Sequence, residues 1–221
     1  MLKEPTGIVA YAKDKSFFVI DKKSHTIIKI TSSGLCLLFI IHTYMILISC
    51  LQGSSQVFVG TGAQGSADGI GTEASFNGPR GIAIDQRTGN LFVCDHANHL
   101  IRKVTAQGEC TLFTQITLFT NKKKGEVSTL AGSKNGFADG KGKEALFNFP
   151  YGLYFDDSTQ SLLVCDLDNN KVRCVQLNGI SLHPSFESYF HCGVKFDILE
   201  CRRCYNIVCS SISTLYCNNS K

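Results

Sequence analysis

The chain has 221 residues, of which 22 are basic and 18 acidic, for a formal charge of +4, and it holds 11 cysteines. That length can bury the core of one domain or two small ones, and so small and scattered a positive excess does not argue for a nucleic-acid partner without a basic stripe. An odd cysteine total at irregular spacing excludes a disulfide framework; with no signal-peptide pattern at the N-terminus, reduced thiols and a cytoplasmic location are expected.

Residues 5–34, PTGIVAYAKDKSFFVIDKKSHTIIKITSSG, hold three short β-rich runs divided by turn residues. LCLLFIIHTYMILISCL, residues 35–51, follows. It reaches only the lower limit for a membrane span, and a span would place the first unit across a bilayer from the rest. An apolar insertion in a surface hairpin is the expectation; membrane association requires that 35–51 insert.

Next comes VFVGTGAQG, residues 57–65, a short apolar run leading into G-x-G-x-x-G, with Asp85 closing a later run. In a dinucleotide site such glycines approach a pyrophosphate and a helix follows. Here Gly69, Gly71, Gly78 and Pro79 interrupt any helix. Val57 to Val59 therefore read as an outer strand, and the glycines as the turn into the next unit.

Beyond this point the chain repeats itself. Residues 65–108 align without a gap on residues 136–179: Asp68 meets Asp139, Phe76 meets Phe147, Pro79 meets Pro150, Asp85 meets Asp156, Asp95 meets Asp166, Asn98 meets Asn169 and Arg102 meets Arg173. Residues 5–34 align more weakly on 79–108, where Pro5, Gly7, Asp21, Ile27, Lys29 and Gly34 meet Pro79, Gly81, Asp95, Ile101, Lys103 and Gly108. The units span 5–62, 63–132 and 133–179, and once inserts at 35–55 and 109–125 are removed their periods agree. The inserts share a Leu, Ile, Phe, Thr and Cys flavour with the Cys-rich tail 180–221, which suits translated non-coding sequence. The tail is expected to be poorly ordered and outside the repeats.

Each unit offers four short antiparallel strands: GIAID, NLFVCD, HLIRKV and VSTLAG in the second, with GLYFD, SLLVCD and KVRCV as counterparts in the third. Four-stranded sheets in tandem bury their apolar faces only on one another. The fold class is therefore all-β, a partial β-propeller of about three blades. Imperfect alternation in Leu100 to Val104 predicts a strand with one face partly buried.

Asn98-His99-Leu100, with A-D-G-x-G, A-x-F-x-x-P-x-G, V-x-D-x-x-N and I-R-K around it, resembles the NHL-repeat family. The third copy keeps most of this pattern, reading Asn169-Asn170-Lys171 at the naming position, and the first keeps its central strands. The resemblance implies propellers of about six blades, so three make an incomplete ring. It also implies, through family members joined to other domains, RNA binding or ubiquitin-pathway substrate recognition as an alternative role.

Asp68-Gly69 and Asp139-Gly140 are expected to shape turns, aspartate bonding nearby amides and glycine accepting positive φ. Asp95 with Asn98, and Asp166 with Asn169, are expected to cap the turn between the second and third strands. One carboxylate per turn is too few for calcium, and His96 with His99 lacks further ligands. Cys201-Arg-Arg-Cys204, with Cys209 and either Cys192 or Cys217, is half of a zinc pattern. No metal or cofactor is expected.

No nucleophile has an identifiable base, so a non-catalytic scaffold binding a protein partner is the expected function. A lyase on a related propeller would need a metal-ligand set that the sequence does not offer. Loops on a rigid scaffold usually carry recognition, and propeller geometry should bring Arg80, His96 and His99 near Tyr151 and Asp168. Self-association through the open blade faces is a further expectation.

Overall fold

The computed structural model describes residues 2–32, 36–41, 45–50, 53–105, 124–177 and 182–183. The first blade is built from β1 (Pro5–Tyr11), β2 (Ser16–Asp21) and β3 (Thr26–Ser32). β4 (Cys36–Ile41) and β5 (Met45–Cys50) pair with each other alone, after which β6 (Gly53–Val59) returns as the outer strand, in the order β1-β2-β3-β6. The apolar insert is thus a separate antiparallel ribbon, and no helix among the described residues is long and apolar enough to cross a membrane. The outer strand begins inside the segment that the sequence assigned to the insert, because Gly53 already pairs with Ser32.

Before the second blade the linker forms a two-residue strand, β7 (Gly69–Ile70), and a 3-10 turn, Gly71–Glu73. β8 (Ile82–Ile84), β9 (Leu91–Asp95), β10 (Leu100–Val104) and β11 (Glu126–Ala131) follow, and β7 adds itself outside β11. The blade therefore has five strands where four were expected. The third blade comprises β12 (Pro150–Asp156), β13 (Ser161–Asp166), β14 (Lys171–Gln176) and β15 (Leu182–His183). Leu182 and His183 lie in the segment expected to stand outside the repeats, yet pair with Val175 and Cys174. The remainder of the tail, with its C-x-x-C, lies outside the described residues.

Backbone conformation repeats as faithfully as sequence. Lys15, Gly89 and Gln160 close the first hairpin of each blade in the left-handed region, at φ 54, 75 and 52. His25, His99 and Asn170 do so at the second hairpin, at φ 52, 59 and 51. Asp14, Asp85 and Asp156 start the first hairpin by accepting N–H groups two residues on, from Ser16, Arg87 and Ser158.

Two apolar clusters make the core, one per seam. Phe18, Ile20 and Ile27 of the first blade meet Ile82, Leu91 and Val93 of the second, with Phe76 wedged between. Phe92, Cys94 and Ile101 of the second meet Leu153, Phe155 and Val164 of the third around Phe147. Burial of such side chains contributes about 1.5–3 kcal/mol each. The inner strands touch so closely that a Cβ on Gly7 would come within 2.6 Å of the Arg80 carbonyl oxygen, and one on Gly81 within 2.3 Å of that of Tyr151. This contact requires the glycine of P-x-G.

Candidate interaction face

The second hairpins and the linkers meet at one end of each seam. Between blades two and three, the Arg80 guanidinium lies over the Tyr151 ring, 4.8 Å from its centroid, and Nη1 donates to the Tyr151 hydroxyl at 3.3 Å. The His96 ring stands edge-on to Tyr151 at 5.8 Å, and its Nδ1 donates to the Pro150 carbonyl at 3.1 Å. His99 accepts the Phe149 N–H at Nδ1, with its ring 4.5 Å from that of Phe149. Asp168 is exposed on the adjoining turn and, like Arg80, acts electrostatically on His96. The five residues expected near one another are brought to a single seam.

Burial lowers the basicity of both imidazoles; at His96 the Arg80 charge adds to this, while the Pro150 carbonyl and Asp168 oppose it. Both rings also spend Nδ1 on the backbone of the third blade, so they hold the seam closed. His25 performs the same task one seam earlier, accepting the Gly78 N–H at 3.0 Å. That role was not anticipated, although the left-handed turn of the N-H-L position recurs in every copy.

The aspartates do something other than expected. Asp68 takes no nearby amide: its Oδ1 accepts from Arg102 Nη2 at 2.8 Å and from the Thr129 hydroxyl. Asp139 accepts in the same way from Arg173. Asp95 does not cap its turn with its side chain; it accepts from the Asn77 N–H, Asn98 and Arg102 Nη1. Asp166 repeats this with the Asn148 N–H, Asn169 and Arg173. Burial pushes both carboxyls above their ordinary range, against the lowering pull of these donors. Asn98 and Asn169 reach the linkers as well, donating to the Gly65 and Gly136 carbonyls.

Arg102 is completely buried, on the fully covered face of its strand, and Lys103 on the opposite face is half-buried, in keeping with the expected partly buried face. The Arg102 guanidinium also donates to the Ser75 and Ala67 carbonyls, clamping the linker that enters its blade. Arg173 does the same with Leu146 and Ala138. The repeated arginine downstream of two repeated acids, Asp68 and Asp95 before Arg102 and Asp139 and Asp166 before Arg173, was the available signal.

The glycine expectation also shifts by two positions. Gly71 and Gly142 hold the positive φ, 57 and 53, whereas Gly69 and Gly140 are glycine because the chain folds tightly there: a Cβ would lie 3.1 Å from Ala74 N and 2.9 Å from Glu144 Cβ. Gly60 and Gly132 likewise turn the chain out of the outer strands at φ 111 and 97, and their N–H groups donate to the Gly71 and Gly142 carbonyls. Among the described residues no three metal-ligating side chains gather.

Residues 76–104 match the NHL repeat family. NHL repeat-containing protein 2 of Bos taurus is 32% identical over 129 residues, covering 57% of this chain and 16% of the relative; its Homo sapiens counterpart is 25% identical over 191 residues, covering 84% and 23%. The chain thus spans less than a quarter of the length of these relatives. An auxiliary nutrient binding protein of Bacteroides thetaiotaomicron superposes with a TM-score of 0.55 at 21% identity, over 76% of this chain and 36% of that one. A putative phosphatase of the same organism gives 0.55 at 22% identity, over 80% and 34%. These two likenesses establish the fold alone.

Proposed function

We propose that this chain, an NHL-repeat protein, is a non-catalytic scaffold that binds a protein partner through the seam face bearing Arg80, His96, Tyr151 and Asp168. The carrying observation is the Arg80 guanidinium seated on Tyr151, 4.8 Å from the ring centroid, beside an exposed Asp168. Arginine and tyrosine dominate binding energy in protein interfaces, and here both are held by neighbouring blades before a partner arrives. The fold does not choose among functions, since two of the structures that share it, an auxiliary nutrient binding protein and a putative phosphatase, differ in function.

Affinity purification of the full chain, compared with Arg80→Ala and with Lys143→Ala on a remote turn, tests this reading. A set of proteins retained by the chain and by Lys143→Ala but lost with Arg80→Ala is expected. Filter binding supplies the opposing result: salt-sensitive RNA retention abolished by Arg80→Ala would replace a protein partner with a nucleic acid.

A further inference from the structure

The seam face carries a positive charge that its own blades leave unanswered. Among the described residues three arginines are ion-paired: Arg87 with Asp85, Arg102 with Asp68 and Asp95, and Arg173 with Asp139 and Asp166. Arg80, the fourth, pairs with no carboxylate among those residues. Its Nη1 donates to the Tyr151 hydroxyl and its plane rests on the Tyr151 ring, so the guanidinium is held in place before any ligand arrives. Nε is buried, whereas Nη2 has no hydrogen-bond partner among the described residues and is not buried.

His96 shares the same tyrosine, edge-on to its ring. Because its Nδ1 donates to the Pro150 carbonyl, Nε2 is the nitrogen that gains a proton when the ring becomes charged. Uptake of that proton makes it a second donor beside Arg80. Neither residue is required by the repeat. The variable position of P-x-G is Thr6, Arg80 and Tyr151 in the three blades, and the position of His96 is Lys22, His96 and Leu167. Lys22, the other cation of this set, is neutralised by Glu4 at 2.6 Å.

Resting on the reading that this face meets a protein, we propose that it takes a side-chain carboxylate from an acidic segment of the partner, held by Arg80 Nη2 and by His96 protonated at Nε2. Arginine bonds carboxylates strongly because both groups are charged. The charges around His96 give the site its pH dependence. Burial, Arg80 and His99 disfavour the protonated ring, while the Pro150 carbonyl and the exposed Asp168 favour it. A bound carboxylate offsets Arg80 and adds negative charge, so binding draws a proton from solvent onto Nε2. Affinity therefore rises as pH falls from 7.5 to 5.5, a range in which glutamate, with its ordinary value of about 4.3, stays ionised. Asp168 repels the incoming anion and restrains its affinity.

Fluorescence anisotropy of a dye-labelled, end-capped hexaglutamate titrated with the full chain tests the site, with hexaglutamine as the control. Hexaglutamate alone is expected to bind, and Arg80→Gln should weaken it about tenfold or more. His96→Ala should flatten the pH dependence. Asp168 makes no side-chain hydrogen bond among the described residues, so Asp168→Asn leaves the seam intact and should tighten binding about twofold. Weaker binding in that variant would overturn the proposal, since it would mark Asp168 as the recognising charge and the partner segment as basic. Equal binding of the two peptides, or none of either, would also overturn it, as would an oligouridylate that binds more tightly than hexaglutamate and depends on Arg80. Proteins recovered through Arg80 by a chain that ignores hexaglutamate would refute the carboxylate and leave the scaffold reading standing. Hexaglutamate binding without recovered proteins would refute the scaffold alone.

Discussion

His99 accepts the N–H of Phe149 across the seam between the second and third blades at 3.1 Å, with the two rings 4.5 Å apart. A donor and its acceptor thus belong to different blades, and the same pairing joins His25 to Gly78. Seam closure depends on a polar contact at its rim as well as on apolar packing inside.

His99→Ala removes the acceptor and leaves the Phe149 N–H without its partner. A stability loss of about 1 kcal/mol is expected, with a similar loss for His25→Ala. Urea denaturation read by circular dichroism measures both, and unchanged midpoints would deny the imidazoles a structural role.

The same histidines set a pH dependence. Burial holds His96 and His99 below the ordinary value of 6.5, so the unfolded chain takes up protons more readily than the folded one. Their contribution is complete above pH 6.5 and declines as pH falls through that value toward the lower folded ones. Thermal melts between pH 7.5 and 5 should show a falling midpoint, with a shallower fall in the His96→Ala/His99→Ala double variant.

Arg102→Leu strands the buried Asp95 and frees the linker carbonyls, and should cost about 3–5 kcal/mol. Asp68→Ala removes the half-exposed partner of the same guanidinium and should cost about 1 kcal/mol or less. Denaturant midpoints for the two variants should separate clearly. Equal losses would mean that Asp68, and not Asp95, anchors the arginine.

Hydrogen exchange should be slowest in β9 and β10, since the second blade contributes to both apolar clusters. Amide protection mapped on the full chain checks this. Greater protection in the first blade than in β9 would contradict the core as described.

Sequence comparison located the blades because the repeated runs carry their turn residues with them: Asp85 and Asp156 fix the same hairpin, and Pro79 and Pro150 mark the entry to the same inner strand. It also placed Arg80, His96, His99, Tyr151 and Asp168 at one seam, since propeller connectivity brings those loops together. It missed what needs three dimensions. The sequence assigned Arg102 no partners, because Asp68 and Asp95 lie far apart in the chain and meet at its guanidinium only when the linker folds over it. Gly69 was assigned the left-handed turn that Gly71 makes, because either glycine of D-G-x-G permits it and only the close approach of Ala74 separates them.

The stem closing the second hairpin insert has an evolutionary consequence. Thr105 donates its N–H to the Glu126 carbonyl and accepts the Gly125 N–H, and β11 is then stitched to β10 on one side and β7 on the other. Strand pairing therefore resumes at a fixed point however much chain intervenes, and each doubling of that intervening chain costs only about 0.6 kcal/mol in closure entropy. Ser32 and Gly53 close the equivalent stem of the first blade. These two positions are ports where additional sequence can enter a propeller without renegotiating its blades.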